Sequence, residues 1–280
     1  MRIGLLPTER GGSYRSVIIF LAICGILMSS LPVIVVTIMS LSAADTTGFP
    51  PDALSLRWYS EVIAMFTTKD ANSARSVVVS TLTSLLVEVI VMVVSTGVCI
   101  PLAYALARGE TRICSGMELL FTLPLVFPLV ILGIAFLLIA ESLRLDIRIW
   151  RIVIPHVALV LPFVLRNCLS AMSGIGIELE EAAVSLGAPP LRAIWDVVIP
   201  MMKAGILAGL IFALVISFNE FTITFFMYTV DVSTLPIWMY SRTVSSLDPS
   251  TLALSVFIIV ADIVLIVLVD KLIAGRANLF

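Results

Sequence analysis

Three acidic side chains interrupt the most apolar parts of this 280-residue sequence. Glu88, Glu220 and Asp262 each fall near the middle of a run long enough to cross a lipid bilayer, and Asn219 directly precedes Glu220. A charge that faces lipid at that depth costs about 2.5–3.5 kcal/mol on insertion scales, so these groups must face protein or water. Two roles follow: they line the path of a cationic solute, or they are neutral or hydrogen-bonded at a protein interface.

Aromatic residues close to Glu220 add a second feature that suits a cation. They are Phe221, Phe225, Phe226 and Tyr228. Aromatic faces attract a cation by roughly 0.5–2 kcal/mol. For Glu88 and Asp262 the sequence favours the interface role, whereas for Glu220 both roles stay open because Asn219 adds a second polar group at the same depth. We group Asn219, Glu220, Glu88 and Asp262 as the candidate substrate pathway.

The sequence offers little for covalent chemistry. Its only histidine, His156, leaves no His-rich metal site, and the three acids have no histidine nearby in the sequence to form a catalytic cluster. The phosphate-binding pattern G-x-x-x-x-G-K-[ST] does not occur, so any nucleotide hydrolysis must come from a partner. A net charge of −2 gives no reason to expect nucleic acid as a partner. We therefore expect no enzyme activity, no metal and no cofactor in this chain.

A polar segment, residues 173–202, separates two apolar runs. Its first part has apolar residues at the i, i+3, i+4, i+7 spacing of one helix face: Leu179, Ala182, Ala183 and Leu186. Glutamates at the start of this helix suit the positive end of its dipole. Gly187 then stands where a left-handed C-terminal cap is needed. The pattern predicts a short amphipathic helix that ends at Gly187.

The second part of the polar segment predicts another short amphipathic helix. It begins after Pro189-Pro190, shares Leu191, Ile194, Trp195 and Val198 on one face, and ends before Pro200. Helices that lie on membranes usually carry Lys or Arg on the polar face, whereas this segment leads with glutamates that anionic lipid would repel. Docking to another protein is therefore favoured over membrane-surface binding.

The elements that carry these residues are transmembrane helices. The sequence is 60% hydrophobic and 13% charged, against about 25% charged in soluble domains. Six runs have the length of a membrane span: 17–41, 77–107, 119–140, 152–172, 203–228 and 251–270. The first run is too long for a signal-peptide core and is expected to be retained.

The distribution of Lys and Arg sets the orientation of six spans. With both termini in the cytoplasm, ten of the 17 Lys and Arg residues lie inside and seven outside. Cytoplasmic segments carry the excess of positive charge, so we expect cytoplasmic termini. This orientation also puts the polar segment 173–202 in the cytoplasm.

Part of the polar segment resembles the EAA loop of permease subunits from binding-protein-dependent ABC importers. The family pattern is E-A-A, three residues, Gly, nine residues, Ile, one residue and Leu-Pro. This chain has Glu181-Ala182-Ala183, Gly187, Val197 and Ile199-Pro200, with apolar replacements at Val197 and Ile199. The resemblance implies an all-α membrane protein with the type I importer permease fold and a coupling helix that docks on an ATP-binding subunit. The implied docking residues are Glu180, Glu181, Ala182, Ala183, Leu186, Gly187 and Pro200.

The same resemblance implies the domain organisation and the partners. Residues 1–76 would form a cytoplasmic tail, a peripheral first transmembrane helix and an extracytoplasmic loop, and residues 77–280 the core permease domain. The expected assembly contains two ATP-binding subunits that hold ATP and Mg, a second and homologous permease, and an extracytoplasmic solute-binding protein. It would lie in the bacterial cytoplasmic (inner) membrane.

The stretch S-F-N-E-F-T-I-T-F-F, residues 217–226, is similar to the spermidine/putrescine-like branch of these permeases. It implies that the solute is a polyamine or another small organic cation. An importer for an opine, amino acid, sugar or anion remains an alternative. A proton-coupled secondary transporter is a further rival, and it predicts inverted repeats and broken helices, which the sequence does not reveal. A membrane enzyme is the last rival.

Overall fold

The computed structural model describes residues 11–45, 48–67, 76–109, 112–144, 148–245 and 249–277. The charge count predicts the side of the membrane on which the two termini lie. The first part of the expected N-terminal tail and the last residues of the chain are outside the described ranges. Apart from one isolated bridge between Ser42 and Leu54, the described residues form helices and irregular connections. The all-α fold is confirmed.

Twelve α-helices follow one another in the described part of the chain. They are α1 (Gly11–Ser40), α2 (Arg57–Thr67), α3 (Val77–Arg108), α4 (Arg112–Thr122), α5 (Leu129–Ser142), α6 (Trp150–Ser173), α7 (Ile177–Ser185), α8 (Pro190–Ala193), α9 (Ile199–Phe218), α10 (Thr222–Met227), α11 (Leu235–Ser245) and α12 (Pro249–Ala277). Five continuous segments within them are long and apolar enough to cross a membrane, and a bent helix pair provides a sixth.

The third predicted span, 119–140, is bent and not a single helix. Its two parts, Leu119–Leu125 and Leu129–Ser142, meet at 109°. Pro124 lies in a 3-10 turn, and Pro128 is the residue before α5. Proline has no N–H for the helix ladder and disfavours helical geometry in the residue before it, so the two prolines account for the bend.

The fifth predicted span, 203–228, has different boundaries in the structure. One helical run extends from Pro190 to Phe218 through a π turn at Ile194–Val198, and the chain then breaks before α10. The prediction of a separate second amphipathic helix that ends before Pro200 is therefore wrong, because the helix continues through Pro200. The π turn ends two residues before this proline, whose nitrogen has no hydrogen to donate to Asp196.

The chain forms two compact units. One contains the described residues of Met1–Ala64 and Ser246–Ile259. In it, Trp58 donates its indole N–H to the Ser42 carbonyl at 2.7 Å, and the hydroxyls of Ser40 and Tyr59 are 2.7 Å apart. These bonds fix the connection from α1 to α2.

The other unit contains the described residues of Met65–Ser245 and Val260–Phe280, and its core is built by α3, α6 and α9. Helices α6 and α9 approach closely because Gly205 and Gly209 face α6. A Cβ added at Gly205 would lie 2.5 Å from the Asn167 carbonyl oxygen, and one at Gly209 would lie 3.2 Å from the Val164 Cα. This G-x-x-x-G spacing permits close contact between membrane helices. The same unit carries all the candidate site residues.

Candidate functional site

The predicted docking helix is present as α7, and none of its residues is buried. Leu179 is 45% exposed, and Leu186, just after the helix, is 90% exposed. Glu181 and Ala182 are also exposed. A helix that exposes apolar side chains such as Leu179 and Leu186 is available to another protein.

Gly187 ends α7 with the predicted left-handed cap. Its φ is +96°, and it is the only described glycine with a positive φ. The Gly187 N–H donates to the Val184 carbonyl at 2.9 Å, and the Ala188 N–H donates to the Ala183 carbonyl at 3.1 Å. These two bonds define a Schellman motif, which satisfies carbonyls at the helix end.

Glu180 differs from its neighbours because it points back into the chain. Its carboxylate accepts a hydrogen bond from the Tyr104 hydroxyl through Oε1, and its Oε2 lies 3.6 Å from the Arg108 Nε. Arg108 also donates to the Ile175 carbonyl at 3.1 Å, just before α7. Neither Tyr104 nor Arg108 stands out in the sequence. Their spacing of four places both on one face of α3, but no local signal connects that face to Glu180.

Pro200 lies apart from this segment. It is exposed, but it sits within the helical run from Pro190 to Phe218. The structure therefore brings Glu181, Ala182, Ala183, Leu186 and Gly187 together on one exposed segment, with Pro200 outside it.

The break between α9 and α10 holds Asn219 and Glu220. The Asn219 side-chain amide donates to Asp262 Oδ2 at 3.0 Å, across 43 residues of sequence. Asn219 is exposed and Asp262 is partly exposed. These two members of the candidate pathway therefore form one accessible polar pair.

Glu220 is 8% exposed and acts as a helix cap. Its Oε1 accepts the Ile223 backbone N–H at 2.7 Å, in the first turn of α10. The first N–H groups of a helix have no partner within it, so a carboxylate here stabilises the start of α10. Glu220 was expected near the middle of a continuous span, and that expectation is wrong because the span breaks at this residue.

A buried hydrogen-bond chain runs from Glu220 to Ser217 through His156. The Thr224 hydroxyl donates to the Glu220 carbonyl at 3.1 Å and lies 2.7 Å from His156 Nε2. The single hydroxyl proton of Thr224 is used in the bond to Glu220, so His156 Nε2 must be the donor to Thr224. Neutral His156 then accepts the Ser217 hydroxyl at Nδ1, where the distance is 2.9 Å. The lone histidine thus holds α6 to both sides of the helix break.

Glu88 lies beside Ser217 and is 2% exposed. Neither of its carboxyl oxygens has a hydrogen-bond partner among the described residues. The Ser217 hydroxyl is engaged with His156. A buried ionised carboxylate without a donor is costly, and this geometry suits the neutral acid.

The aromatic residues after Glu220 form a cluster with a member that the sequence did not indicate. Tyr240 of α11 lies 5.0 Å from Phe221 and 5.5 Å from Phe225, measured between ring centroids. Phe225, Tyr228 and Tyr240 are each more than a third exposed. Their faces are accessible beside the helix break.

A family model matches residues 97–276, more than half of the chain, and its description is "Binding-protein-dependent transport system inner membrane component". The chain belongs to this family. It is therefore a membrane-spanning permease subunit of an ABC importer, and the resemblance in the polar segment is confirmed. The matched residues include α7, the helix break and Asp262.

Curated relatives differ in the solutes that their names give. The chain is 29% identical to the molybdenum transport system permease protein ModB of Mycobacterium tuberculosis, over 67% of this chain and 78% of ModB. It is 29% identical to the putrescine transport system permease protein PotI of Escherichia coli K12, over 54% of this chain and 56% of PotI. A putative ABC transporter permease of Streptomyces antibioticus is 34% identical, over 50% of this chain and 61% of the relative. The chain thus spans less than two thirds of the length of two of these relatives.

A solved structure supports the fold. It is the crystal structure of a bacterial ABC transporter involved in the import of the acidic polysaccharide alginate. The TM-score is 0.64 with 19% identity, and the match covers 97% of this chain and 99% of that chain. The importer permease fold is confirmed.

Proposed function

We propose that this permease couples to an ATP-binding subunit through the docking segment, defined as residues 177–187, and imports a small organic cation. The assembly contains two ATP-binding subunits that hold ATP and Mg, a second homologous permease and an extracytoplasmic solute-binding protein. The chain itself hydrolyses no ATP and binds no metal. The first part, residues 1–76, is peripheral to a core permease domain formed by residues 77–280, and both termini lie in the cytoplasm.

The observation that carries the coupling role is the exposure of α7. Glu181, Leu179 and Leu186 are exposed, and a Schellman motif holds the end of the helix in a defined shape. A rigid, exposed helix between two spans suits contact with a subunit that moves. Closure of the ATP-binding subunits would displace α7, and the displacement would bias the spans between outward and inward access.

The Asn219–Asp262 pair supports a cationic solute. It is the accessible part of the candidate pathway, whereas Glu88 and Glu220 are buried in the chain's own packing. We therefore place Asp262 and Asn219 on the pathway and give Glu88 and Glu220 roles in the structure of the helix break. Exposed aromatic faces nearby would attract the same charge. Relatives that are named as putrescine and spermidine/putrescine permeases agree with a polyamine.

An oxyanion is a second candidate, and one cavity favours it. Hydroxyl side chains and one guanidinium line this cavity: Ser80, Thr229, Ser233, Ser241, Ser245 and Arg242 are among its residues. Arginine and hydroxyl groups recognise oxyanions through hydrogen bonds. The match to ModB, a molybdenum transport permease, agrees with such a solute.

Uptake by the reconstituted assembly distinguishes the two solutes. We expect ATP-dependent uptake of labelled putrescine or spermidine, and a lower uptake rate after Asp262→Asn, because the substitution removes the accessible negative charge. Arg242→Gln is the matched control and should leave this uptake unchanged. Uptake of molybdate, lost in Arg242→Gln and kept in Asp262→Asn, would overturn the cation proposal.

A further inference from the structure

We propose that Glu180 is a positioning residue that ties α7 to the end of α3 through Tyr104 and Arg108. This tie carries the movement of α7 into the core of the permease. The inference rests on the proposed coupling function, but it assigns Glu180 a role different from docking. Nothing in the EAA pattern itself indicates this role, because the pattern begins one residue later.

The last turn of α3 holds the start of α7 at two points. Tyr104 and Arg108 meet the Glu180 carboxylate, and the Arg108 guanidinium also donates to the Ile175 carbonyl at 3.1 Å. The backbone before α7 and a side chain of its first turn are thereby held by one helix end. A displacement of α7 cannot leave α3 in place unless these contacts break.

Burial makes the loss of one partner of this ion pair costly. The side chain of Arg108 is 19% exposed and that of Glu180 is 13% exposed. Ion pairs in water contribute little, whereas removal of one partner from a shielded pair leaves the other charge without compensation. Water therefore does not readily replace either partner when α7 moves, and the link can transmit the movement.

The present geometry leaves room for the link to tighten. The Arg108 Nε and the Glu180 Oε2 have no hydrogen-bond partner among the described residues, although they are 3.6 Å apart. An approach of about half an ångström would bring them to hydrogen-bond length. A small movement of α7 toward α3 would thus gain one charge-assisted bond, and the opposite movement would weaken the ion pair. The pair favours one position of α7 over another.

Glu181 provides the contrast on the same helix. It is exposed and has no hydrogen bond or ion pair to the described residues. Two adjacent glutamates therefore differ: Glu180 contacts α3, whereas Glu181 is exposed to a partner. This contrast gives the experiment a matched control.

The experiment measures uptake per ATP hydrolysed in the purified and reconstituted assembly. Tyr104→Phe removes one hydroxyl at nearly constant volume, and Glu180→Gln removes the charge at constant shape. For both we expect the ATP-binding subunits to copurify and the ratio of uptake to hydrolysis to fall roughly fivefold or more. Combining them should add little, since both break one link. Glu181→Gln should instead reduce the amount of copurified ATP-binding subunit.

A charge exchange distinguishes loss of the link from a simple loss of folding. Arg108→Glu and Glu180→Arg should each lower the ratio, and the double variant should recover part of it. An unchanged ratio in Tyr104→Phe and Glu180→Gln would overturn the inference, and so would a Glu180→Gln that loses subunits as Glu181→Gln does. Failure of the unaltered chain to bring down any ATP-binding subunit would instead refute the proposed function.

Discussion

Gly187 combines a positive φ with open space around it. A Cβ at this position would meet nothing within 4 Å, so the constraint on the residue is conformational. Left-handed backbone costs residues other than glycine about 1–2 kcal/mol. The sequence predicts this glycine correctly because the cap depends on local geometry alone.

Gly187→Ala should therefore shift the end of α7 and weaken docking. We expect less ATP-binding subunit to copurify with the variant, measured by quantitative mass spectrometry at equal permease amounts. Gly97→Ala is the matched control, since Gly97 also has open space around it but no positive φ. Equal subunit recovery for both variants would contradict the role of the cap.

Glu88 shows where residue types alone are insufficient. The sequence places an acid in a span, but the hydrogen-bond chain around it joins residues 61 and 68 positions apart. The distinction between a buried acid and an accessible one depends on tertiary packing. For the same reason, the partner of Asp262 was not apparent before Asn219 was placed beside it.

Glu88→Gln should leave uptake and assembly intact, because the variant keeps the shape of a neutral acid and loses no partner that requires a charge. His156→Ala should lower the thermal unfolding temperature, since two bonds across the helix break are lost. Both quantities are measured on the purified assembly. Loss of uptake in Glu88→Gln with unchanged unfolding would return Glu88 to the pathway.

Two helix breaks determine where the membrane-spanning elements end. Prolines at 124 and 128 indicate the first break in the sequence, although they do not determine its angle of 109°. The second break has no proline. The apolar run resumes after Asn219 and Glu220, and both sides of the break are held by bonds from His156 to Ser217 and Thr224 that only the folded chain provides. The sequence therefore predicts the number of spans better than their ends.

The close contact of α6 and α9 gives a prediction at this scale. Gly205→Leu would force a side chain toward the Asn167 carbonyl and separate the two helices. Overpacking of this kind lowers the free energy of unfolding by about 1–3 kcal/mol. We therefore expect a lower unfolding temperature and less folded permease in detergent. Gly25→Leu places the same side chain where nothing lies within 4 Å. Equal stability of the two variants would contradict close packing at Gly205.

For the whole molecule, the sequence predicts the family from a short polar segment and the class from composition. Both succeed because the polar segment carries several residue types at fixed spacing within a short stretch, and because lipid requires apolar helices. The solute is harder to predict from the sequence. The sequence does not show which of the three acids are accessible, and relatives of similar identity are named for different solutes.

The most direct test of the account is the accessibility of α7. Ser185 ends this helix and is exposed, so we place a single cysteine there by Ser185→Cys in a chain whose native cysteines are replaced. A membrane-impermeant maleimide should label it only from the cytoplasmic side, and binding of the ATP-binding subunits should block the label. Val230→Cys, 70% exposed before α11, should react only from the outside. Labelling of Ser185→Cys from the outside, or unchanged labelling in the full assembly, would contradict the coupling role.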